Sequence, residues 1–498
     1  MNIALKGSLK NINIKNEILA GLTVAMTMIP ESLSFAILAG LNPLTGLYGA
    51  FLMGLITSIL GGRPGMVSGA AGATIIVMIS LIKDYGVEYL FAAVALAGVL
   101  QILVGVLKLG KFITFIPQSV MYGFLNGLAV VIFTSQLEQL KIVDGSWLSG
   151  TPLYIMLGLI AVTVLTILLF PKITKAIPPT LVAIIITTLI VVFGGIETKS
   201  VKDIANISGG FPAFHIPKLP FNIETLKIIF PYSLVMCCVG LLESLLTGSI
   251  IDDITNTKGK PNKECVAQGV ANITNGFLGG MGGCAMIAQS FVNINAGSRA
   301  RLGAFVGAIT ILFIILFASP IIEKIPMAAL VGVMMVVAVT TFKWSSLKIV
   351  RKMPKADVVV CILVTFITII YHNLAVAVFA GIIIAALSFA WKCGQSIKVV
   401  CEIKNGKEVF YIHGPLFFGA THKIMNLIQP ESITQEEVYL DFSNSQIYDM
   451  TALETLNTLS QKFDQAGKKM YVSNLNAFSQ NLINRADKLL SLRIKGAE

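Results

Sequence analysis

Charge is what this chain has least of. Of its 498 residues only 13% are Asp, Glu, Lys or Arg, while 55% are hydrophobic. A soluble globular chain carries roughly 25% charged residues. So few polar groups cannot cover a globule of this length, which excludes a soluble enzyme and equally a disordered chain. Cysteine is also scarce, with seven residues and no CxxC pair, and Cys237 and Cys238 simply adjoin on an apolar run. That excludes a disulfide framework. The four histidines, His215, His372, His413 and His422, show no metal-ligand spacing with cysteine or with one another. No metal site built from His and Cys is expected. No phosphate-binding loop and no nucleophile–base pair is present, so a membrane enzyme is the weakest of the functional classes.

The charge that is present is unevenly placed. Residues 394–498 carry 11 basic and 11 acidic residues, so the net +11 of the chain belongs to residues 1–393. There the cations punctuate apolar runs rather than gather on one polar face, which points to a membrane surface and not to nucleic acid. The runs fall at 19–39, 43–60, 68–82, 89–107, 113–137, 152–170, 179–194, 226–251, 263–279, 285–296, 300–319, 326–342, 357–371 and 374–391. Several reach the roughly 17–25 residues that cross a hydrocarbon core as helix. No cleavable leader is evident, because Lys6, Lys10 and Lys15 precede a first run too long for one. Cations concentrate in alternate loops, including Arg63, Lys258–Lys263, Arg299/Arg301 and the run Lys343–Lys355. The excess of lysine and arginine on one side predicts a multi-pass plasma-membrane protein with both termini in the cytoplasm.

Two of the runs are short, 68–82 and 285–296, and each follows a glycine cluster, 61–65 and 279–283. Pro30-Glu31-Ser32-Leu33 echoes Leu242-Glu243-Ser244-Leu245, and a Gly-Gly pair and a short run follow in each case. Residues 19–194 and 226–391 therefore read as two halves of seven segments. Seven is odd, so the second half is inverted relative to the first. Short glycine-interrupted segments at matching places of inverted halves mark a transporter binding site. The membrane portion spans 1–393. From 394 to 498 the pattern is that of a soluble α/β domain: strands at Ile397–Ile403 and Glu408–His413 around an Asn405-Gly406 turn, a strand at Val438–Phe442, a helix at Thr451–Gln465, a strand at Lys469–Ser473 and a helix from about Asn476.

The run Gly21-Leu22-Thr23-Val24 through Pro30-Glu31 and Gly46-Leu47-Tyr48 resembles the opening signature of the SulP anion transporters, relatives of solute carrier family 26. So do Leu241–Leu246, Gln268-Gly269 with Asn272, Gly279-Gly280, and Ala288-Gln289-Ser290 with Asn293. His413–Phe418 and Leu440–Ser443 resemble a STAS domain. The resemblance covers nearly the whole chain in the family's order. It implies an all-α polytopic membrane protein of fourteen helices, a seven-plus-seven inverted repeat with two half-helices, core and gate parts, a C-terminal α/β STAS domain, and homodimers.

The resemblance also implies where the anion sits: between the N-termini of the third and tenth helices, here Ala71, Gly72 and Ala73 facing Met286, Ile287 and Ala288. Two helix ends each carry about half a unit of positive charge and unpaired N–H groups, enough to replace an anion's water without a basic side chain. Many members carry arginine at the position of Gln289, so this site lacks its side-chain cation. Glu31 matches a first-helix position lining the anion site, and Phe35, one turn on, would wall it. Glu243 matches the eighth-helix acid and Thr247 a position of the sodium site of sodium-dependent bicarbonate members, which carry aspartate where Glu243 stands. Thr451 aligns with the loop where related anti-sigma antagonists carry a phosphorylated serine; Thr451–Glu454 also reads as a capping box opening a helix. The expected function is coupled transport of a small inorganic anion, bicarbonate ahead of sulfate, with H⁺ or Na⁺ at Glu243 and no organic cofactor. The alternatives are a nucleobase permease of the same architecture and a membrane sensor signalling through the STAS domain to a cytoplasmic protein.

Overall fold

The computed structural model describes residues 13–110, 117–141, 146–174, 177–203, 210–220, 222–349, 352, 354–371, 374–404, 407–486 and 492–495. The Asn405-Gly406 turn, His372, Lys6 and Lys10 lie outside the described residues. The chain divides into two compact units, 1–382 and 383–498.

The helices of the first unit, the last of which (Leu374–Ser396) continues past the end of the unit at 382, are α1 (Ile14–Leu38), α2 (Pro43–Leu60), α3 (Gly72–Tyr85), α4 (Val87–Val106), α5 (Gln118–Glu138), α6 (Thr151–Leu169) and α7 (Pro179–Phe193). Then come α8 (Ile223–Thr255), α9 (Pro261–Phe277), α10 (Ile287–Asn295), α11 (Leu302–Phe317), the short α12 (Ser319–Ile322), α13 (Met327–Thr341), the short α14 (Trp344–Ile349), α15 (Lys355–Tyr371) and α16 (Leu374–Ser396). Setting aside α12 and α14, fourteen helices occupy the fourteen apolar runs of the sequence among the described residues. Among the described residues eight helical stretches are long and apolar enough to cross a membrane, one of them α13 continued into α14 and one α6 continued to Lys172. Two-residue strands, β1 (Ser68–Gly69) and β2 (Cys284–Ala285), precede α3 and α10 and replace the first residues of the two short runs.

The repeat is visible in the packing. Each half opens on a long helix with an internal proline, Pro30 in α1 and Pro231 in α8. A second helix, a two-residue strand and a short helix follow in both. The contacts then cross over: α4 packs on α9 and its counterpart α11 on α2, while α3 packs on α8 and α10 on α1. β1 pairs with β2 antiparallel, Ser68 opposite Ala285 and Gly69 opposite Cys284. Equivalent strands running antiparallel are what an inverted pair of halves produces. Helices α5, α6, α7, α13 and α15 pack mainly among themselves and meet the rest chiefly through α1. The membrane part is thus a core of α1–α4 and α8–α11 against a gate.

Polar side chains fix the turns of the core. The Glu17 carboxylate, 1% exposed, accepts hydrogen bonds from the backbone N–H groups of Arg299, Ala300 and Gly303 at 2.6, 2.9 and 2.8 Å and from the Ser298 hydroxyl. It neutralises the start of α11, where the first N–H groups have no partner inside the helix. Glu264 serves the first half similarly, accepting from Gly62 N–H at 2.6 Å and from the Gln268 amide at 2.8 Å. Arg63 in the glycine-rich turn pairs with Asp252 at 2.8 Å, and Arg301 donates to the carbonyls of Ile59 and Gly61. These loop cations therefore tie one half to the other.

In the second unit the strands are β3 (Lys398–Lys404), β4 (Lys407–Leu416), β5 (Glu437–Ile447), β6 (Lys469–Ser473) and β7 (Arg493–Ile494), in the sheet order β3-β4-β5-β6-β7. β3 and β4 are antiparallel; the other neighbours run parallel. Helices α17 (Thr421–Leu427), α18 (Met450–Gln465) and α19 (Ala477–Ala486) complete it. Ile412, Leu440, Phe442, Leu456, Phe463 and Val472 form its core. One local expectation is corrected here. The cap of α18 is Asp449, not Thr451: Asp449 is extended and its carboxylate accepts from Ala452 N–H at 2.9 Å and from Phe418 N–H at 2.8 Å. A carboxylate one residue before the helix takes both free N–H groups, leaving Thr451 in the first turn and exposed.

Candidate functional site

The antiparallel pairing of β1 and β2 brings the starts of α3 and α10 together. The crossing requires glycine: a Cβ on Gly283 would lie 1.9 Å from the Gly69 carbonyl oxygen. Ala71 caps α3 and Met286 caps α10, both extended, and neither supplies a side-chain oxygen to the helix. No side chain therefore caps the first-turn N–H groups of either helix, the groups that a helix start leaves without an internal partner. Gly72 keeps the approach open, since a Cβ there would meet the Phe35 ring at 2.8 Å.

A cavity of about 220 Å³ lies over these ends. Core residues Glu31, Phe35, Gly72, Glu243, Met286, Ile287, Ala288 and Gln289 line one side. Gate residues Leu125, Leu128 and Ile132 of α5, with Val337, Thr340 and Thr341 of α13 and then Lys343, line the other. Most of the site residues read from the sequence are therefore gathered on one wall. Ala71 and Thr247 are fully or nearly fully buried beside it and are not in the lining. Ala73 lies in the first turn of α3, and its side chain is outside the described residues.

The polar contacts decide what the wall offers. Gln289 donates its amide N–H to the Glu31 carboxylate, while its Oε1 is buried without a partner. Its donor is therefore turned to Glu31. Glu243 Oε2 lies 3.0 Å from Cys284 Sγ, which donates to it. The Thr247 hydroxyl donates to the Glu243 carbonyl at 2.8 Å, beside the Ala285 carbonyl at 3.4 Å. The Thr247 hydroxyl thus lies against one carbonyl of the crossing strand, that of Ala285, while the Glu243 carboxylate meets the Cys284 thiol of the same strand. Sequence reasoning missed Cys284, whose only signal was its place three residues before the start of α10. It also missed the gate wall, whose residues read as ordinary apolar helix, and Lys343, which read as part of a basic loop.

Helices starting at mid-chain breaks, facing across paired strands and sharing a cavity with two carboxylates from matching helices of two halves, define a multi-pass secondary-transporter fold. Comparison with known proteins agrees. Residues 14–364 match the sulfate permease family and residues 398–496 the STAS domain. The chain belongs to the sulfate permease family of anion transporters. It is 42% identical to "Putative sulfate transporter YbaR" of Bacillus subtilis (strain 168) over 475 residues, covering 95% of this chain and 97% of that one. It is 32% identical over 396 residues to "Bicarbonate transporter BicA" of Picosynechococcus sp., covering 75% and 69%. Among solved structures, the transmembrane domain of a cyanobacterium bicarbonate transporter BicA superposes with a TM-score of 0.63 at 28% identity, covering 75% of this chain and 97% of that one. The murine Slc26a9 anion transporter in the inward-facing state superposes with a TM-score of 0.83 at 17% identity over 98% and 91%, which is a likeness of fold.

Proposed function

We propose that this protein is a secondary active transporter of a monovalent inorganic anion, bicarbonate ahead of sulfate, driven by a cation, H⁺ or Na⁺, taken up at Glu243. The observation that carries the reading is charge. Two helix N-termini supply about one unit of positive charge in total; the cavity they face also holds Glu31 and Glu243, and its one cationic side chain among the described residues, Lys343, is exposed and belongs to the gate wall rather than to the wall that carries the helix starts. No arginine stands at position 289. A single negative charge balances the helix ends, whereas a divalent sulfate would be left under-compensated in a medium of low dielectric. The carboxylates then need cations of their own whenever the anion is bound, and that requirement is coupling.

In this reading the anion sits against the N–H groups of Gly72, Ala73, Ile287 and Ala288. Phe35 walls it from the core side and Gln289 holds Glu31. A Na⁺ would take oxygens from Glu243, Thr247 and the neighbouring backbone; a proton would sit on the carboxyl itself. Relatives named for sulfate and for bicarbonate support the substrate class. We further place the boundary of the transport domain at residue 393, the termini in the cytoplasm, and the working unit as a homodimer in the plasma membrane whose STAS domain serves assembly, rate or a cytoplasmic protein.

The test is uptake of labelled bicarbonate and sulfate into proteoliposomes under imposed Na⁺ or pH gradients. Bicarbonate accumulation that follows one of the two gradients, with sulfate taken up more slowly, is expected. Accumulation of neither anion under either gradient overturns the reading.

A further inference from the structure

The basic run that begins at Lys343 reads in the sequence as an orientation signal only. The structure gives its first residue a more particular place. Lys343 lines the cavity and, among the described residues, is its one cationic side chain. It is exposed and lines the cavity from the gate side. Among the described residues no carboxylate pairs with it. The position is built. Asn126, buried on α5, accepts from Lys343 N–H at 2.9 Å and donates to the Ser346 hydroxyl at 2.9 Å. Both ends of one amide thus clamp the chain just after α13, where Phe342 is extended and ends the helix.

We propose that Lys343 is the anion-capturing residue of this transporter: it supplies, from the gate side, the side-chain cation that Gln289 does not supply from the core side. The inference rests on the proposed anion site. An anion approaching the helix starts passes two carboxyl groups, Glu31 and Glu243, and a gate wall of Leu125, Leu128, Ile132 and Val337 that carries no charge. Lys343 is the group that offsets this repulsion from the gate side. Being on the gate, it can hold the anion in one arrangement of gate and core and release it in another, whereas an arginine on α10 would travel with the site. Its contribution is therefore to capture and to apparent affinity, with the turnover step left to the core.

The experiment uses the full-length protein purified in detergent and in proteoliposomes, with variants K343Q, K343R and, as a control from the same basic loop outside the cavity lining, K348Q. Binding of bicarbonate and of sulfate is measured by calorimetry at several concentrations of an inert salt, and KM and kcat by uptake. K343Q is expected to raise Kd and KM roughly fivefold to tenfold, the weight of one ion contact in a partly hydrated site, with kcat near wild type. The salt dependence of binding should flatten. K343R should restore both, and K348Q should match wild type. Because Lys343 is exposed, K343Q should keep the wild-type melting temperature. Wild-type Kd, KM and salt dependence in K343Q overturn the inference, as does a K348Q variant that loses as much as K343Q. Binding of neither anion by the wild-type protein overturns the reading on which the inference stands, and this inference with it.

Discussion

Two carboxyl side chains share the cavity, and their partners differ in kind. Glu31 accepts from the Gln289 amide, and Glu243 accepts from a thiol. An amide cannot give up a proton, and a thiol is a weak donor and a poor ligand for a hard cation. Glu243 is thus the less firmly held of the two, and in the proposed coupling it is the group that exchanges a proton or a cation. Glu243→Gln keeps the size of the side chain and removes its charge. It should abolish accumulation driven by a gradient while leaving the protein folded and inserted. Gradient-driven uptake at the wild-type level in that variant would remove Glu243 from the coupling step. Gln289→Arg tests the other half of the wall. An arginine there would pair with Glu31 and add the positive charge that a divalent anion needs, so competition assays should show preference shifting from bicarbonate towards sulfate. An unchanged preference ratio in an active variant would show that position 289 acts only on Glu31.

At the scale of elements, the site depends on two strands of two residues crossing closely enough for their helices to face each other. Gly283→Ala would place a methyl carbon 1.9 Å from the Gly69 carbonyl oxygen. Backbone is what it meets, so no rotamer change relieves the clash, and the strands must part. The expected result is loss of anion binding together with a lower melting temperature in detergent. Gly72→Ala is the milder comparison, since its methyl meets the tip of the Phe35 ring, which can turn. Anion binding unchanged in Gly283→Ala would mean that the crossing does not define the site. The helices themselves were legible in the sequence, because apolar runs of fixed length are the strongest signal a chain can carry. The strands were not: Ser68-Gly69 and Cys284-Ala285 are small residues inside apolar runs, and only their mutual pairing makes them strands. The buried acids Glu17 and Glu264 were equally silent, since both sit at the ends of runs, where a carboxylate ordinarily meets water. The cap of α18 was misread because Asp449 and Thr451 both suit the role, and the extended backbone at Asp449, with Phe418 N–H beside it, decides between them. The core wall of the cavity could be read because it lies on the repeat. The gate wall could not, because Leu125, Val337 and Lys343 become neighbours only through packing of α5 on α13.

For the whole molecule, the two units place different demands on the chain. Every described residue lining the cavity precedes Trp344, and the crossed packing of α2, α4, α9 and α11 is complete before Ser319. The buried core of the second unit runs from Ile397 to Ala486 and is closed by its own sheet and helices. Helix α16 runs through the division between the units at residue 382 and ends at Ser396, one residue before that core begins. A cut after Cys393 therefore removes less than one turn of α16 and leaves both cores whole. The fragment 394–498, expressed alone, should be soluble and unfold in one cooperative transition, with the mixed α/β signature in circular dichroism. The chain ending at Cys393 should still insert and still bind anion, because neither the helix starts nor Lys343 is lost. What it should lose is rate or dimer stability, read by uptake and by native mass spectrometry. A truncated protein that no longer binds anion, although folded, would mean that the STAS domain acts on the cavity itself. A truncated protein with wild-type rate and wild-type dimer would leave that domain to a cytoplasmic partner alone.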